Sequence, residues 1–384
     1  MNQAITHEPL SVLLRGYYGW GNFGDDLLMV ISFRLLREWF PAARISISTS
    51  SDRAGYIQNL IGEEVPIHPF GSGGHFDLVF RGGGGVFFDF KPGSPANYVM
   101  NKVIRGLGVR KTARLLNGIK AKAGKSPLSA TYRCGLGIGV GTYTPDSAKY
   151  YYSATELSLQ DLLLVRDEKS RLNALDIEPG LQVHTYTDLA FLRKYWVPDC
   201  NTTARNDTET LSVGFVLRDW QADNSAYLDK FRLLIDSLKS ENIRCRIVIL
   251  DKEGDKITQQ KFDKEDMLVW DPSHMDIRAF AEALSDFSLI ISSRAHGAIG
   301  GACLNVPVMC YPIEPKLKRV REMLGEAAIE FEPSGQQQAT LFRDYLQQYA
   351  QKAEVTGAEV ERNERTIEEG ITFLRNKLES KFGR

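Results

Sequence analysis

The segment Ser292-Ser293-Arg294-Ala295-His296-Gly297 sets an arginine and a histidine two residues apart. The apolar run Phe287-Ser288-Leu289-Ile290-Ile291 precedes it and a small-residue stretch, 297–304, follows, so it reads as a buried strand feeding a tightly packed helix. Open α/β sheets bind ligands at such strand ends, and the free N–H groups of the next helix favour an anion. Arg294 can grip a phosphate or carboxylate with its planar fork, and a histidine, whose ordinary pKa lies near neutrality, can give or take a proton. The expected chemistry is the binding and protonation of a small phosphorylated acid. Arg218 follows the apolar run 211–217, and Lys316, Lys318 and Arg319 follow the run 306–311. Cations at several strand ends of one sheet gather at one edge, where burial without an anion would be costly.

A second constellation lies near the amino terminus. Gly19-Trp20-Gly21-Asn22-Phe23-Gly24 has the spacing of a dinucleotide-binding turn, between an apolar run at 11–15 and a helical pattern that runs to about residue 40. Asp25 and Asp26 argue against that use, because on the first helical turn they would repel a pyrophosphate. The acidic residue that would hold a ribose is also missing, since the next strand, 44–49, ends in Ser-Thr-Ser. Asp25 then either caps the helix or, with Asn22, faces a cleft and holds the hydroxyls of an acceptor sugar. Arg81-Gly82-Gly83-Gly84-Gly85 closes another apolar run. Four glycines in a row admit close approach by a ligand or by a crossing helix, which makes Gly83 and Gly84 candidates for the acceptor side.

The elements needed to hold these groups alternate. Apolar runs at 11–15, 44–49, 77–80, 136–140 and 162–165, each followed by a helical pattern or a glycine turn, predict a parallel sheet covered on both faces. The series repeats after a polar stretch at 198–210, with strands at 211–217, 247–250, 267–270 and 306–311. Ser273, three residues before Asp276, predicts the start of the helix that leads to Arg294. The expected class is α/β, with two Rossmann-like doubly wound domains facing a cleft in a GT-B-like glycosyltransferase architecture. Residues 1–197 would form an amino-terminal acceptor-side domain and 211–335 a carboxyl-terminal donor-side domain. Residues 336–384 would form helices that return to the first.

Composition excludes several roles. With 384 residues, 43% apolar and 25% charged, the chain is long enough for two globular domains, and a net charge of −1 gives no field for nucleic acid. Its 5 cysteines are scattered without metal-ligand spacing, which predicts a reduced, cytoplasmic setting and no metal. No stretch approaches the ~18 apolar residues of a membrane span, so a membrane-linked substrate would be met from the cytosol. From Lys91 to Thr144 there is no Asp or Glu, while Lys102, Arg105, Arg110, Lys111, Arg114 and others through Arg133 are basic. Interleaved apolar residues fit this 91–133 stretch to peripheral contact with an anionic membrane face or a lipid-diphosphate head group.

Taken in order, several segments resemble the polysaccharide pyruvyl transferase family over roughly residues 11–325. They are Gly16 through Asp26, 82–87, Arg166-Asp167-Glu168-Lys169-Ser170, Thr187-Asp188-Leu189-Ala190-Phe191, Ser292 through Gly297, and Val306-Pro307-Val308. The resemblance implies transfer of the enolpyruvyl group of phosphoenolpyruvate onto two hydroxyls of a sugar as a cyclic ketal. Phosphate is released, and the setting is exopolysaccharide, capsule or cell-wall glycan synthesis. It implies Arg294 and His296 as donor-site and catalytic residues and Arg218 as a further donor-site arginine. Lys316, Lys318 and Gly297 complete the expected donor side, and Asn22, Asp25, Gly83 and Gly84 the acceptor side. The expected partners are phosphoenolpyruvate, as donor substrate rather than cofactor, and a sugar or lipid-linked oligosaccharide. The long basic stretch is not part of the family's core. Two other functions suit the same fold: a glycosyltransferase using a nucleotide sugar, and a non-catalytic protein that binds glycan or lipid head groups.

Overall fold

The computed structural model describes residues 8–89, 95–109, 111–112, 127–143, 147, 149–198, 211–219, 225–333, 342, 344–345 and 348–383. The chain divides into two compact units. The first comprises Met1–Gly19, Leu28–Leu189 and Ile367–Arg384; the second comprises Trp20–Leu27 and Ala190–Thr366.

The first unit is built on a seven-stranded parallel sheet. Its strands are β1 (Ser11–Arg15), β2 (Arg44–Thr49), β3 (Ile67–Pro69), β4 (Gly74–Asp89), β5 (Leu128–Tyr143), β6 (Leu162–Val165) and β7 (Val183–Thr185), in the order β3-β2-β1-β4-β5-β6-β7. The strand order reverses beside β1, as in a doubly wound fold. The glycines expected to end a strand instead continue one, since β4 pairs with β1 as far as Arg81 and with β5 as far as Asp89. The helix Phe23–Trp39 explains the lack of side chains there. A Cβ at Gly82 would stand 2.1 Å from Ser32 Oγ, and one at Gly83, whose φ is +47°, 2.9 Å from Leu28. Close crossing by this helix therefore accounts for Gly82 and Gly83 without an acceptor.

Two other motifs are structural in this unit. Asp167 caps the helix Glu168–Ile177 by accepting from Ser170 N at 2.7 Å. Arg166, buried, donates to the fully buried Asp188 at 3.1 Å and ties β6 to the segment after β7. The last helix, Tyr349–Phe382, ends in this unit, where Phe373 meets His184 and Gly370 lies under the Tyr186 ring.

The second unit repeats the plan with six parallel strands. They are β8 (Ser212–Val216), β9 (Arg244–Ile249), β10 (Met267–Val269), β11 (Leu289–Ser292), β12 (Val308–Cys310) and β13 (Ala328–Glu330), ordered β10-β9-β8-β11-β12-β13. Phe215, Leu228, Phe231, Ile235 and Phe262 fill one side of its core. The helix Ile277–Ser285 is capped by Asp276, whose carboxylate accepts from Ala279 N at 2.8 Å, and not by Ser273. Ser273 instead donates its hydroxyl to Asp271.

An aromatic cluster explains why the unit boundary differs from a simple cut at 197. Phe23 lies edge-on to Trp270 at 5.2 Å, 4.8 Å from Phe280 and 6.5 Å from Trp196. Trp196 in turn donates its indole N–H to Ala190 O at 2.8 Å. Fully buried aromatics contribute about 1.5–3 kcal/mol each by transfer alone, enough to hold Trp20–Leu27 and the 190–197 segment to the second unit.

Candidate active site

The strands β8 and β11 lie side by side where the second sheet reverses its order. Arg218 follows β8 by two residues and Arg294 follows β11 by two. Their guanidinium groups sense one another. Burial, and next the like charge of Arg294, pull Arg218 below its ordinary pKa. Each has an acidic partner. Arg218 Nη1 donates to Glu314 Oε1 at 2.8 Å, and Arg294 Nη2 donates to the fully buried Asp255 at 2.5 Å and lies 3.8 Å from Asp251. Asp255 also accepts from Asp219 N at 2.9 Å. Arg294 Nε is buried and has no hydrogen-bond partner among the described residues, so part of its fork remains unused.

Arg294 is the N-cap of the helix Ala295–Cys303, which is buried along its length. Gly297 stands where a Cβ would come within 2.5 Å of Ser292 Oγ and 2.7 Å of Val216. Its missing side chain lets this helix close onto β8 and β11, a packing role that the donor-site expectation did not include. His296, on the first turn, is buried to 8% exposure. Its imidazole rests on the signature Gly-Asn-Phe-Gly-Asp-Asp, since a Cβ at Gly24 would stand 1.9 Å from Nδ1.

That signature is fixed by its own hydrogen bonds. Asn22 Oδ1 accepts from Gly24 N at 3.0 Å and Asp25 N at 3.4 Å, which caps the helix Phe23–Trp39, and Asn22 Nδ2 donates to Asp251 at 3.3 Å. Phe23 N donates to Leu250 O at 2.8 Å, pairing the turn with the end of β9. Asp26, fully buried, accepts from Trp270 Nε1 at 2.9 Å. Asp26, tied to Trp270, and Asp25 put two acidic side chains on the first helical turn, where they would repel a dinucleotide pyrophosphate.

Asp25 is half-buried and faces His296 and Lys316. Desolvation raises its pKa to about 6; the charges of His296 and Lys316 lower it in part, while Asp26 and Asp251 raise it. Lys316, half-buried, lies on the first turn of the helix Pro315–Leu324, and Lys318 on the same helix is exposed. The second unit thus brings Asn22, Asp25, Arg218, Arg294, His296 and Lys316 into one region. Gly83 and Gly84 belong to β4 of the first unit.

Asp251, Asp255, Glu314 and Gly24 were not among the residues expected from the sequence. The three acids follow β9 and β12 at the same sheet edge as the arginines, so the strand-end rule that found the cations could also have found them. Gly24 carries a sharp expectation. Alanine there must displace the His296 ring, and a shift of about 1 Å costs on the order of 100-fold in rate. Gly24→Ala should lose that factor in kcat while still unfolding cooperatively, with stability lowered by no more than the ~1–3 kcal/mol of an overpacked site.

A family model for polysaccharide pyruvyl transferase matches residues 22–315, the span that begins at the cap Asn22 and ends beside Glu314. The chain belongs to the polysaccharide pyruvyl transferase family. Membership makes it a transferase of polysaccharide biosynthesis. No curated protein matches the sequence. Among solved structures, HepE from Anabaena in complex with UDP-glucose is similar at 11% identity and TM-score 0.54, over 96% of this chain and 100% of that one. A putative UDP-N-acetylglucosamine 2-epimerase from Listeria monocytogenes is similar at 11% identity and TM-score 0.55, over 92% of this chain and 94% of the other. The glycosyltransferase of kitacinnamycin is similar at 11% identity and TM-score 0.53, over 97% and 99%. At such identities the likeness is one of fold, and it gives this pyruvyl transferase a GT-B-like architecture of two Rossmann-like units.

Proposed function

We propose that this protein transfers the enolpyruvyl group of phosphoenolpyruvate onto two hydroxyls of a sugar, closing a cyclic ketal and releasing phosphate. One observation carries the reading: Arg218, Arg294, His296, Lys316 and Asp25 gather at the switch point of one parallel sheet in a chain of this family. Phosphoenolpyruvate presents a phosphate and a carboxylate. Arg218 and Arg294 suit bidentate contacts to them, with Lys316 as a point charge. Lys318, exposed on the same helix, would act on the donor's approach. His296 protonates the methylene carbon of the donor, which leaves the neighbouring carbon cation-like and open to a hydroxyl. Asp25 accepts that hydroxyl's proton, and Asn22 fixes the turn that presents Asp25. The carbon–oxygen bond to phosphate then breaks, the cations steady the departing anion, and the second hydroxyl closes the ring. Two hydroxyl protons are released, one balancing the new methyl group and one leaving with phosphate.

Incubation with phosphoenolpyruvate or with a sugar nucleotide, each with polymer acceptor, tests the donor. Phosphate released only with phosphoenolpyruvate supports the reading, and nucleoside diphosphate release overturns it. The raised pKa of Asp25 adds a pH expectation. The ionised carboxylate is the base, so kcat/KM should rise through about pH 6. Asp25 is protonated more readily when folded than when unfolded. Its burial therefore opposes folding at pH above about 6, and the penalty is relieved as pH falls from there towards 3.8. Asp25→Asn should remove the acidic limb, depress kcat and raise the thermal midpoint at pH 8.

A further inference from the structure

We infer that the helix Pro95–Leu107 of the first unit is a docking surface for a bilayer bearing anionic lipid head groups. This helix buries Asn101 and Ile104, and Ile104 belongs to the unit's core with Val140, Ala154 and Leu157. Its opposite arc presents Tyr98, Val99, Val103 and Leu107 to solvent, with exposures from 39% at Val103 to 60% at Val99. Positions 99, 103 and 107 recur every fourth residue, so they form one stripe along the helix. Lys102 is exposed on the same arc, and Lys111 is exposed just beyond. Tyr152 is also exposed, at 49%, on the adjoining helix Tyr150–Ser158.

A solvated helix turns charged residues outward, so an outward apolar stripe needs a partner. Charge identifies the partner. The sequence from Lys91 to Thr144 holds no acidic residue, against Lys102, Arg105, Arg110, Lys111 and further basic residues. A protein interface normally mixes signs, whereas an apolar stripe flanked by the exposed Lys102 and Lys111 matches the boundary between acyl chains and anionic head groups. Past Leu107 the surface opens into a hollow of about 450 Å³ whose wall includes Asp176 and Glu178. Leu107 and Lys111 line the same hollow, so the acids bound the cationic surface there and the contact runs along the helix as far as Lys111. No described helix is long and apolar enough to cross a membrane, which leaves attachment in the plane of the head groups.

Co-sedimentation of the full chain with vesicles tests this independently of its reaction. Binding is expected to vesicles of phosphatidylcholine with a third phosphatidylglycerol, to weaken with salt, and to be slight with phosphatidylcholine alone. Val99→Ser, Val103→Ser and Leu107→Ser together should lower the partition at least about 10-fold. Lys102→Ser with Lys111→Ser should lower it roughly 30-fold, from the usual contribution of a lysine near an anionic surface. All five positions are exposed, and circular dichroism checks that the variants keep the fold. Equal binding to neutral vesicles, or binding unchanged by both sets of substitutions, overturns the inference. So does a dimer in light scattering that the triple variant abolishes without any vesicle binding, since the stripe would then join two copies of the chain.

Discussion

His296→Ala should lower kcat by about 10²- to 10⁴-fold while phosphoenolpyruvate still binds, because a positioned proton donor contributes about that much and the proposed contacts to the donor's charges are those of Arg218, Arg294 and Lys316. The size of the effect follows from the placement of the ring. It is 8% exposed, it sits on the first turn of the helix Ala295–Cys303, and its Nδ1 side lies on the α-carbon of Gly24. Water cannot readily take over for an imidazole held in that way. Steady-state phosphate release gives the rate, and calorimetric titration with phosphoenolpyruvate gives the binding. A variant that binds the donor but turns over at the wild-type rate would remove His296 from the chemistry.

Arg294→Ala should damage both stability and donor binding. The substitution leaves Asp255, fully buried, without the guanidinium it meets at 2.5 Å, and an uncompensated buried carboxylate costs about 3–5 kcal/mol. Urea unfolding followed by tryptophan fluorescence is a suitable measurement, since Trp196 and Trp270 are buried in the second unit. Arg294→Ala with Asp255→Asn should recover most of the lost stability and none of the activity. That contrast separates the two roles of the arginine, and a single variant as stable as wild type would show that the pair is not a buried ion pair. Arg294→Lys keeps the charge but loses the fork, so donor affinity should fall even where folding survives.

Much of this arrangement was legible in the sequence, for local reasons. The run 287–291 before Ser-Ser-Arg-Ala-His-Gly announced a buried strand and a small-residue helix, and the structure has β11 followed by Ala295–Cys303. The runs 44–49 and 162–165 coincide with β2 and β6. What was not legible depends on partners distant in the chain. Glycines normally weaken a strand and signal a turn, yet Gly82–Gly85 extend β4 because Tyr18, Leu28 and Ser32 occupy the space above Gly82 and Gly83. Nothing near Gly24 announces that its missing side chain makes room for His296. Phe23 falls within the 1–197 span expected of the amino-terminal domain, but Trp196, Trp270 and Phe280 draw it into the second unit. The sequence shows the cations at these strand ends plainly, whereas the acids that neutralise them stand two to six residues beyond theirs, in the turns after β9 and β12. Glu314, Asp251 and Asp255 restore that balance and leave Arg294 with an unused donor.

Mass spectrometry of the polymer made by cells carrying either the wild-type chain or His296→Ala addresses the reaction itself. The predicted result is a repeat unit that loses the mass of one pyruvate ketal in the variant, with every sugar still present. An intact ketal in the variant, or a repeat unit short of a sugar instead, would contradict a pyruvyl transfer centred on His296.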